Sequence, residues 1–281
     1  MTRYDARVTG PAPGGSRQPP REIAELRALA ERQPELAPAV ALQLDLVDVV
    51  RRVQSRLSTP WIDAPPASLA ARLAGGTPLL QFDQMAIEWS DIRLLIRQVT
   101  DVLRRHDAID ADTTAALHAI GRSEDLASIV RNWFEEGPEP EVEMLGEVLT
   151  WAMRPYLQRT GEALLQQVSL HAWRGRRCPL CAAEPDFSFI TLNGDRQLVC
   201  GRCHARWLFD PIACPYCDND DRSRIRSMAT PDGMYRVMVC GSCSRYIKAL
   251  DGRHASRPLL PYTDAIATLP LDAAVMRRDE S

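Results

Sequence analysis

Apolar residues recur at steps of three and four through the first part of the chain, the period of an amphipathic helix. Val40, Leu44, Val47, Val50, Val53 and Leu57 form one stripe, and Trp89, Ile92, Leu95, Ile96, Val99, Val102 and Leu103 form another. Ser123 is placed to cap a third helix, with Glu124 and Asp125 in its first turn ahead of Leu126, Ile129, Val130, Trp133 and Phe134. A further helix is expected to start after Pro140 and carry Val142, Leu145 and Leu149. Pro155 should kink or break it before Leu157, Leu164, Leu165 and Val168. Breaks fall at Pro60, Pro65-Pro66, Gly75-Gly76 and Gly137-Pro138. The pattern predicts a bundle of about six helices with the stripes as its core.

Beyond Trp173 the pattern changes to short strand-like runs. Phe187–Leu192 and Arg196–Cys200 flank Asn193-Gly194, a type I′ hairpin signal. Residues 223–229 and 234–240 flank Pro231-Asp232-Gly233 in the same way. A third strand is expected after each hairpin, around Arg206–Phe209 and Arg245–Leu250. The two units are copies: CPLC aligns with CPYC, and CGRCHARWLF with CGSCSRYIKAL. The fold class expected is α+β, an N-terminal all-α helical bundle followed by a duplicated rubredoxin-like or zinc-ribbon β domain. Its parts are a disordered tail (1–20), a helical domain (21–172), a first metal ribbon (173–212) and a second with a C-terminal tail (213–281).

Charge supports a boundary near Trp173. Residues 1–172 hold 18 Arg against 24 acidic residues, and residues 173–281 hold 16 basic against 13 acidic. The resulting +3 of the second part is thin for a nucleic-acid binder, which ordinarily carries a dense basic face. A zinc-ribbon nucleic-acid binder is nevertheless one alternative function, motivated by that +3 and the Arg-Arg and Arg-x-Arg pairs. Lys248 is the one lysine, and it follows Ile247, so P-loop chemistry is excluded. The first 20 residues lack the apolar stretch of a secretory signal, and no apolar run reaches the length of a membrane span. The chain is therefore expected in the cytoplasm, where paired cysteines bind metal more often than they form structural disulfides.

All 8 cysteines lie between 178 and 243, as four C-x-x-C pairs separated by 18, 10 and 22 residues. Two intervening residues let both thiolates of a pair face one ion while the turn's N–H groups donate to the sulfurs. Two such knuckles joined by a hairpin complete a tetrahedral S4 shell, suited to Zn²⁺ or a single iron. Site one is assigned to Cys178, Cys181, Cys200 and Cys203, and site two to Cys214, Cys217, Cys240 and Cys243. An interleaved cross-brace is the other pairing; the direct repeat favours sequential sites. C-x-x-C is also the thioredoxin motif, but no βαβ pattern lies nearby. Cys200-Gly-Arg-Cys203-His204 matches c-type haem attachment, which would take two ligands from site one. A [4Fe–4S] cluster would also accept four thiolates.

The remaining candidates carry less chemistry. His106 and His118 have no Glu or second His at i+4, and His171 reads as a surface or packing residue. His204 could exchange into site one, though four cysteines suffice. Trp207 and Tyr246 are expected to pack over the metal sites. The lone lysine is either compositional bias or a place where a compact ammonium is needed, and the first reading is favoured. Metalloprotease, serine-hydrolase and dinucleotide-binding motifs are absent from the sequence, so no enzyme is expected.

The cysteine half resembles the formate dehydrogenase accessory protein family, FdhE. The resemblance rests on CPLC…CGRC and CPYC…CGSC, the run CGRCHARWLFDPIACPYC with Trp207 between the sites, Tyr246-Ile247-Lys248, and the tail from Asp264 to Asp272. It covers residues 173–275. Ala182 departs from the glycine that usually follows the family's first knuckle, which puts the turn geometry of site one in question. The resemblance implies a non-enzymatic cytoplasmic maturation factor with two rubredoxin-like sites holding iron or zinc. Its implied partner is the formate dehydrogenase catalytic subunit, which carries a molybdenum or tungsten pterin cofactor and an iron–sulfur cluster. A rubredoxin-like electron carrier feeding that client is the second alternative.

Overall fold

A computed structural model of the chain describes residues 20–137, 142 and 144–279. The expected tail at 1–19 and the expected helix start after Pro140 lie outside the described residues. The first part holds α1 (Arg21–Arg32), α2 (Ala37–Gln54), α3 (Pro66–Ala74), α4 (Trp89–Arg105), α5 (Ala111–Arg122), α6 (Leu126–Glu135) and α7 (Leu145–Leu165). Stripe and burial agree in α4, whose Ile92, Leu95, Ile96, Val99, Val102 and Leu103 are all buried. Asp91 in its first turn and Arg104 and Arg105 in its last complement the helix dipole.

Two local expectations fail. Ser123 does not cap α6: it closes α5, and its Oγ accepts from Asp125 N at 3.1 Å, leaving Asp125 at the N-cap. Pro155 does not break α7, which runs through it without interruption. Trp151 through Leu157 are all buried, and α7 packs on α2, α4 and α6 at the centre of the bundle. Burial of that much surface outweighs the cost of an interior proline, about 3 kcal/mol.

The second part is one six-stranded sheet built from β1 (Pro185–Ile190), β2 (Arg196–Cys200), β3 (Arg206–Phe209), β4 (Ile225–Ala229), β5 (Tyr235–Cys240) and β6 (Tyr246–Asp251). The order is β3-β2-β1-β6-β5-β4. Each copy is an antiparallel meander. The copies join where β1 lies parallel to β6, with Phe187 opposite Lys248 and Ile190 opposite Asp251. The last strand of the second copy therefore completes the first. One face of the sheet carries Leu198, Trp207 and Ile247 into the same buried cluster as Leu95, Leu149 and Leu157 of the helices. The core is thus continuous across residues 172 and 173.

The opposite face, with Phe187, Val199, Tyr235 and Leu250, is covered by a C-terminal pair that the sequence pattern did not single out. These are α8 (Pro261–Ala267) and α9 (Leu269–Asp279). α8 also packs on α1 and α2, where Ile266 joins Leu26, Leu29, Leu36 and Val40. Among the described residues, no helix is long and apolar enough to cross a membrane.

Lys248 acquires a role here. Its Nζ donates to Asp272 Oδ2 at 2.6 Å, and Tyr246 Oη donates to the other oxygen at 2.8 Å. Tyr246 thus lies against α9 and holds Asp272, while Trp207 and its repeat counterpart Ile247 take the opposite, core-facing side. Lys248 is 13% and Asp272 18% exposed, so the pair is shielded from solvent screening. Lys248→Met should destabilise the chain by about 1–3 kcal/mol, the range for a partly buried charge-assisted hydrogen bond. Chemical denaturation compared with the parent checks this, and an unchanged midpoint would contradict it.

Candidate metal centres

The four C-x-x-C knuckles share one backbone design. In each, the N–H of the residue after the second cysteine donates to the first cysteine's carbonyl: Ala182 to Cys178, His204 to Cys200, Asp218 to Cys214 and Ser244 to Cys240. The first cysteine's N–H then donates to the carbonyl one residue further on, at Ala183, Ala205, Asn219 and Arg245. Closing so tight a turn puts Ala182, His204, Asp218 and Ser244 in the left-handed region, with φ of 57–66°. Ala182 therefore adopts the conformation that glycine would ease, and the departure noted in the sequence leaves the turn intact. The strain is small per residue, about 1–2 kcal/mol.

This turn points both thiols of a knuckle to one side, and the hairpins bring the knuckles together. The Sγ atoms of Cys178, Cys181, Cys200 and Cys203 converge, as do those of Cys214, Cys217, Cys240 and Cys243. Within each group all ligand atoms lie within 4.8 Å of one another. Contacts in the first are 3.6 Å (Cys178–Cys203), 3.4 Å (Cys181–Cys200) and 3.7 Å (Cys181–Cys203). In the second, Cys214–Cys243 and Cys217–Cys240 both stand at 3.7 Å. A tetrahedron with metal–sulfur bonds of about 2.3 Å has edges of about 3.8 Å, so both groups fit a single tetrahedral ion. The thiols are free, and their sequential grouping is not the interleaved one.

N–H donors favour ionised sulfur in each group, and burial opposes it. Leu180 N donates to Cys178 Sγ, Arg202 N and Cys203 N to Cys200 Sγ, and Ser242 N to Cys240 Sγ, each at 3.4 Å. Burial pushes the Cys178 thiol up, while hydrogen bonds from Cys178, Cys200 and Cys203 pull Cys181 well down. Burial pushes Cys214 up to about 12. For Cys240 burial acts upward too, but the Ser242 and Cys243 N–H groups bring it down to about 7. Each group thus contains a sulfur disposed to be a thiolate, the form that ligates metal.

The two groups differ in their surroundings. All four cysteines of site one are buried, whereas in site two Cys217 is exposed and Cys243 half-buried. Site one is held by the helices. Leu79 and Leu80 N–H groups donate to Pro179 and Leu180 carbonyls at 2.9 Å, and Leu180 lies on α7 where a Cβ at Gly161 would stand 2.9 Å from its Cδ1. The second knuckle is gripped on both sides. Arg154 of α7 donates to the Arg202 and Gly201 carbonyls at 2.9 and 2.7 Å. Arg202 in turn donates to the Phe134 and Trp133 carbonyls, with its guanidinium 4.0 Å from the Trp133 ring centroid. Sequence reasoning missed Arg154; the available signal was an arginine amid the apolar run from Trp151 to Leu157.

His204 lies outside the sulfur cluster. It packs edge-on against Tyr262 at 4.9 Å, and its Nδ1 is 3.4 Å from Gln158 Nε2. Burial, reinforced by Arg154, drives its pKa well below the ordinary imidazole value, so the ring is neutral. His106 pairs with Asp45 and His118 with Asp101, both at helix surfaces. Trp207 is buried in the core shared with the helices, its Nε1 donating to the Gly175 carbonyl at 2.8 Å.

The difference in burial predicts an order of metal release. With both sites loaded, a chelator should strip site two on the order of tenfold or more faster than site one, because only site one's release requires opening the core. Following two release phases with a metallochromic dye tests this. A single phase for both ions would contradict it.

No protein-family model matches the chain. Over 99 residues it is 29% identical to "Protein FdhE homolog" of Serratia proteamaculans, covering 34% of the chain and 32% of that protein. Over 97 residues it is 29% identical to the protein of the same name from Erwinia tasmaniensis, covering 34% and 31%. The matched stretch therefore spans about a third of these curated relatives. The crystal structure of the FdhE protein from Pseudomonas aeruginosa superposes with a TM-score of 0.59 at 20% identity, covering 92% of this chain and 90% of that one. The resemblance to FdhE thus holds in sequence over one segment and in fold over almost the whole chain, including the helical part. The architecture is an FdhE-like α+β fold with two ribbon units, each bearing a four-cysteine group.

Proposed function

We propose that the chain is an FdhE-type accessory protein that assists the assembly of active formate dehydrogenase, binding the catalytic subunit in the cytoplasm and catalysing no reaction of its own. The observation that carries this reading is the pairing of two complete four-cysteine groups with a fold shared over 92% of the chain with an FdhE protein. Cys178, Cys181, Cys200 and Cys203 would hold one ion, iron or zinc, and Cys214, Cys217, Cys240 and Cys243 a second. A closed tetrathiolate shell supplies a structural staple or a one-electron couple and leaves no open position for substrate. The protein's contribution is then a rigid surface. The helices fix site one, and the ribbon carries site two outward, where Cys217 is exposed.

The test is genetic and biochemical together. In a host that makes formate dehydrogenase, deletion of this chain should abolish most of the enzyme's activity. The tagged full-length chain should co-purify with the catalytic subunit. Fully active enzyme in the deletion strain would refute the reading. The exposure of Cys217 favours a second reading, electron exchange between site two and the client. That reading requires a reversible iron couple in protein purified without oxygen, and a colourless zinc protein would refute it.

A further inference from the structure

Arg196, at the start of β2, is 3% exposed. Its Nη1 donates to the Ala213 carbonyl at 2.9 Å and to the Asp210 carbonyl at 3.3 Å. These hold the link between the ribbons, which is further tightened by Asp210 Oδ1 accepting from Ile212 and Ala213 N–H. Ala213 immediately precedes Cys214, so a residue of the first ribbon positions the first ligand of the second site. The other side of the guanidinium is unsatisfied. Nε and Nη2 are buried without a partner among the described residues. They border a cavity of about 10 Å³ that Cys214, Tyr216, Cys240 and Arg245 also line. That space admits about one water molecule, which could satisfy a donor but not a charge.

No carboxylate stands within ion-pair distance of Arg196 among the described residues, although such a buried cation ordinarily has one. Arg245, on the same cavity, has Glu184 at 2.6 Å. Arg202, its counterpart near site one, spends both terminal nitrogens on helix carbonyls. Of these three arginines, Arg196 is the one with guanidinium donors to spare. Burial lowers its pKa to about 10, against the opposing pull of Cys214. Four thiolates around a divalent ion carry a net charge of −2, and around a trivalent ion −1. That charge would add to the weaker pull of the Asp210 carboxylate and of the Phe209 ring, 5.7 Å from the guanidinium, neither of which is hydrogen-bonded to it.

We propose that Arg196 is the buried counter-charge of site two, so that loading Cys214, Cys217, Cys240 and Cys243 with a metal ion completes the junction between the ribbons. The inference rests on the metal-binding reading of site two. Arg196 touches no reacting atom; it is a positioning residue whose charge stabilises the loaded cluster more than the empty one. Removing the charge should weaken site two and leave site one unaltered. The more negative the loaded cluster, the larger the loss. For iron, ferrous should therefore suffer more than ferric.

The experiment compares the full chain with Arg196→Met and Arg196→Lys. Met removes charge and hydrogen bonds, while Lys keeps the charge and loses the fork. Zinc competition should give about tenfold or more weaker binding at site two in Arg196→Met, with Arg196→Lys recovering most of it and site one unchanged in both. In iron-loaded protein, one of the two reduction potentials should fall in the Met variant and return in the Lys variant. A purely structural clamp would not produce that pattern. A parent chain that takes up only one ion would overturn the metal reading of site two and this inference with it. Two ions bound, with Met and Lys equivalent or both potentials unmoved, would overturn the inference alone.

Discussion

Cys200→Ser should abolish the cooperative fold of the whole chain, whereas Cys217→Ser should cost one metal ion and leave the helical bundle standing. Metal binding and local folding are one equilibrium for such sites, and a structural zinc site is worth about 10–16 kcal/mol. A domain's net stability is only about 5–15 kcal/mol. Even a fraction of the site's energy therefore exceeds the margin wherever the site and the core are one unit. They are one unit at site one. Cys178, Cys181, Cys200 and Cys203 belong to the same buried cluster as Leu95, Leu149 and Trp207. The Cys200–Cys203 knuckle also carries Gly201 and Arg202, through which Arg154, Trp133 and Phe134 are joined. Loss of that ion leaves buried thiols and a buried guanidinium with their supports displaced.

Cys217 stands at the surface, whereas all four cysteines of site one are buried. Its loss should be confined to the outer ribbon. Far-UV circular dichroism on heating, together with zinc or iron content per chain, separates the outcomes. Equal melting of the two variants would refute the coupling of site one to the core.

What the sequence disclosed and what it hid divide along a physical line. The hairpins, the short strands after the last cysteine of each copy and the grouping of the thiols were legible because turn residues and C-x-x-C spacing act within a few residues. The stripe of α4 was legible for the same reason, since period and burial coincide in it. The parallel contact of β1 with β6 was not, because each strand alone reads as a hairpin member and nothing local encodes a neighbour about sixty residues away. Pro155 misled because intrinsic cost is local and the compensation is tertiary. Ser123 misled because a second acceptable cap, Asp125, lies two residues on. Arg154 and Arg196 were hidden in the arginine background, although both are buried and both bear on a knuckle.

The C-terminal tail from Asp264 to Asp272 has a mechanical role in the structure. Asp264 is fully buried. Arg257 donates to both its oxygens at 2.6 and 3.2 Å, Tyr235 Oη donates at 2.7 Å, and Leu260 N closes the start of α8 at 2.7 Å. Two residues earlier Tyr262 N donates to Glu22 Oε1 of α1 at 2.7 Å, and the Tyr262 ring stacks on Trp151 of α7 at 5.4 Å. A single carboxylate therefore holds the element that bridges the sheet and both ends of the helical part. Asp264→Ala should destabilise the chain by about 3–5 kcal/mol, the cost of leaving a buried partner, here Arg257, without its counter-charge. Glu25, whose carboxylate is 3.8 Å from Arg257 Nε, remains as a longer ion pair and holds the loss toward the lower end of that range.

The loss should appear first as proteolytic release of α8 and α9, ahead of global melting, because the Asp264 cluster ties the start of α8 to Tyr235 of the sheet. Asp272→Asn, which removes only the clamp to Lys248 and Tyr246, should cost less and leave α8 in place. If Asp264→Ala melts like the parent and resists protease equally, the clamp is not what holds the tail. The tail would then have to be held by contacts other than this carboxylate. If it loosens the tail while client capture persists, the carboxylate serves the fold alone. Stability and capture measured on the same variant thus decide between an internal strut and a recognition element.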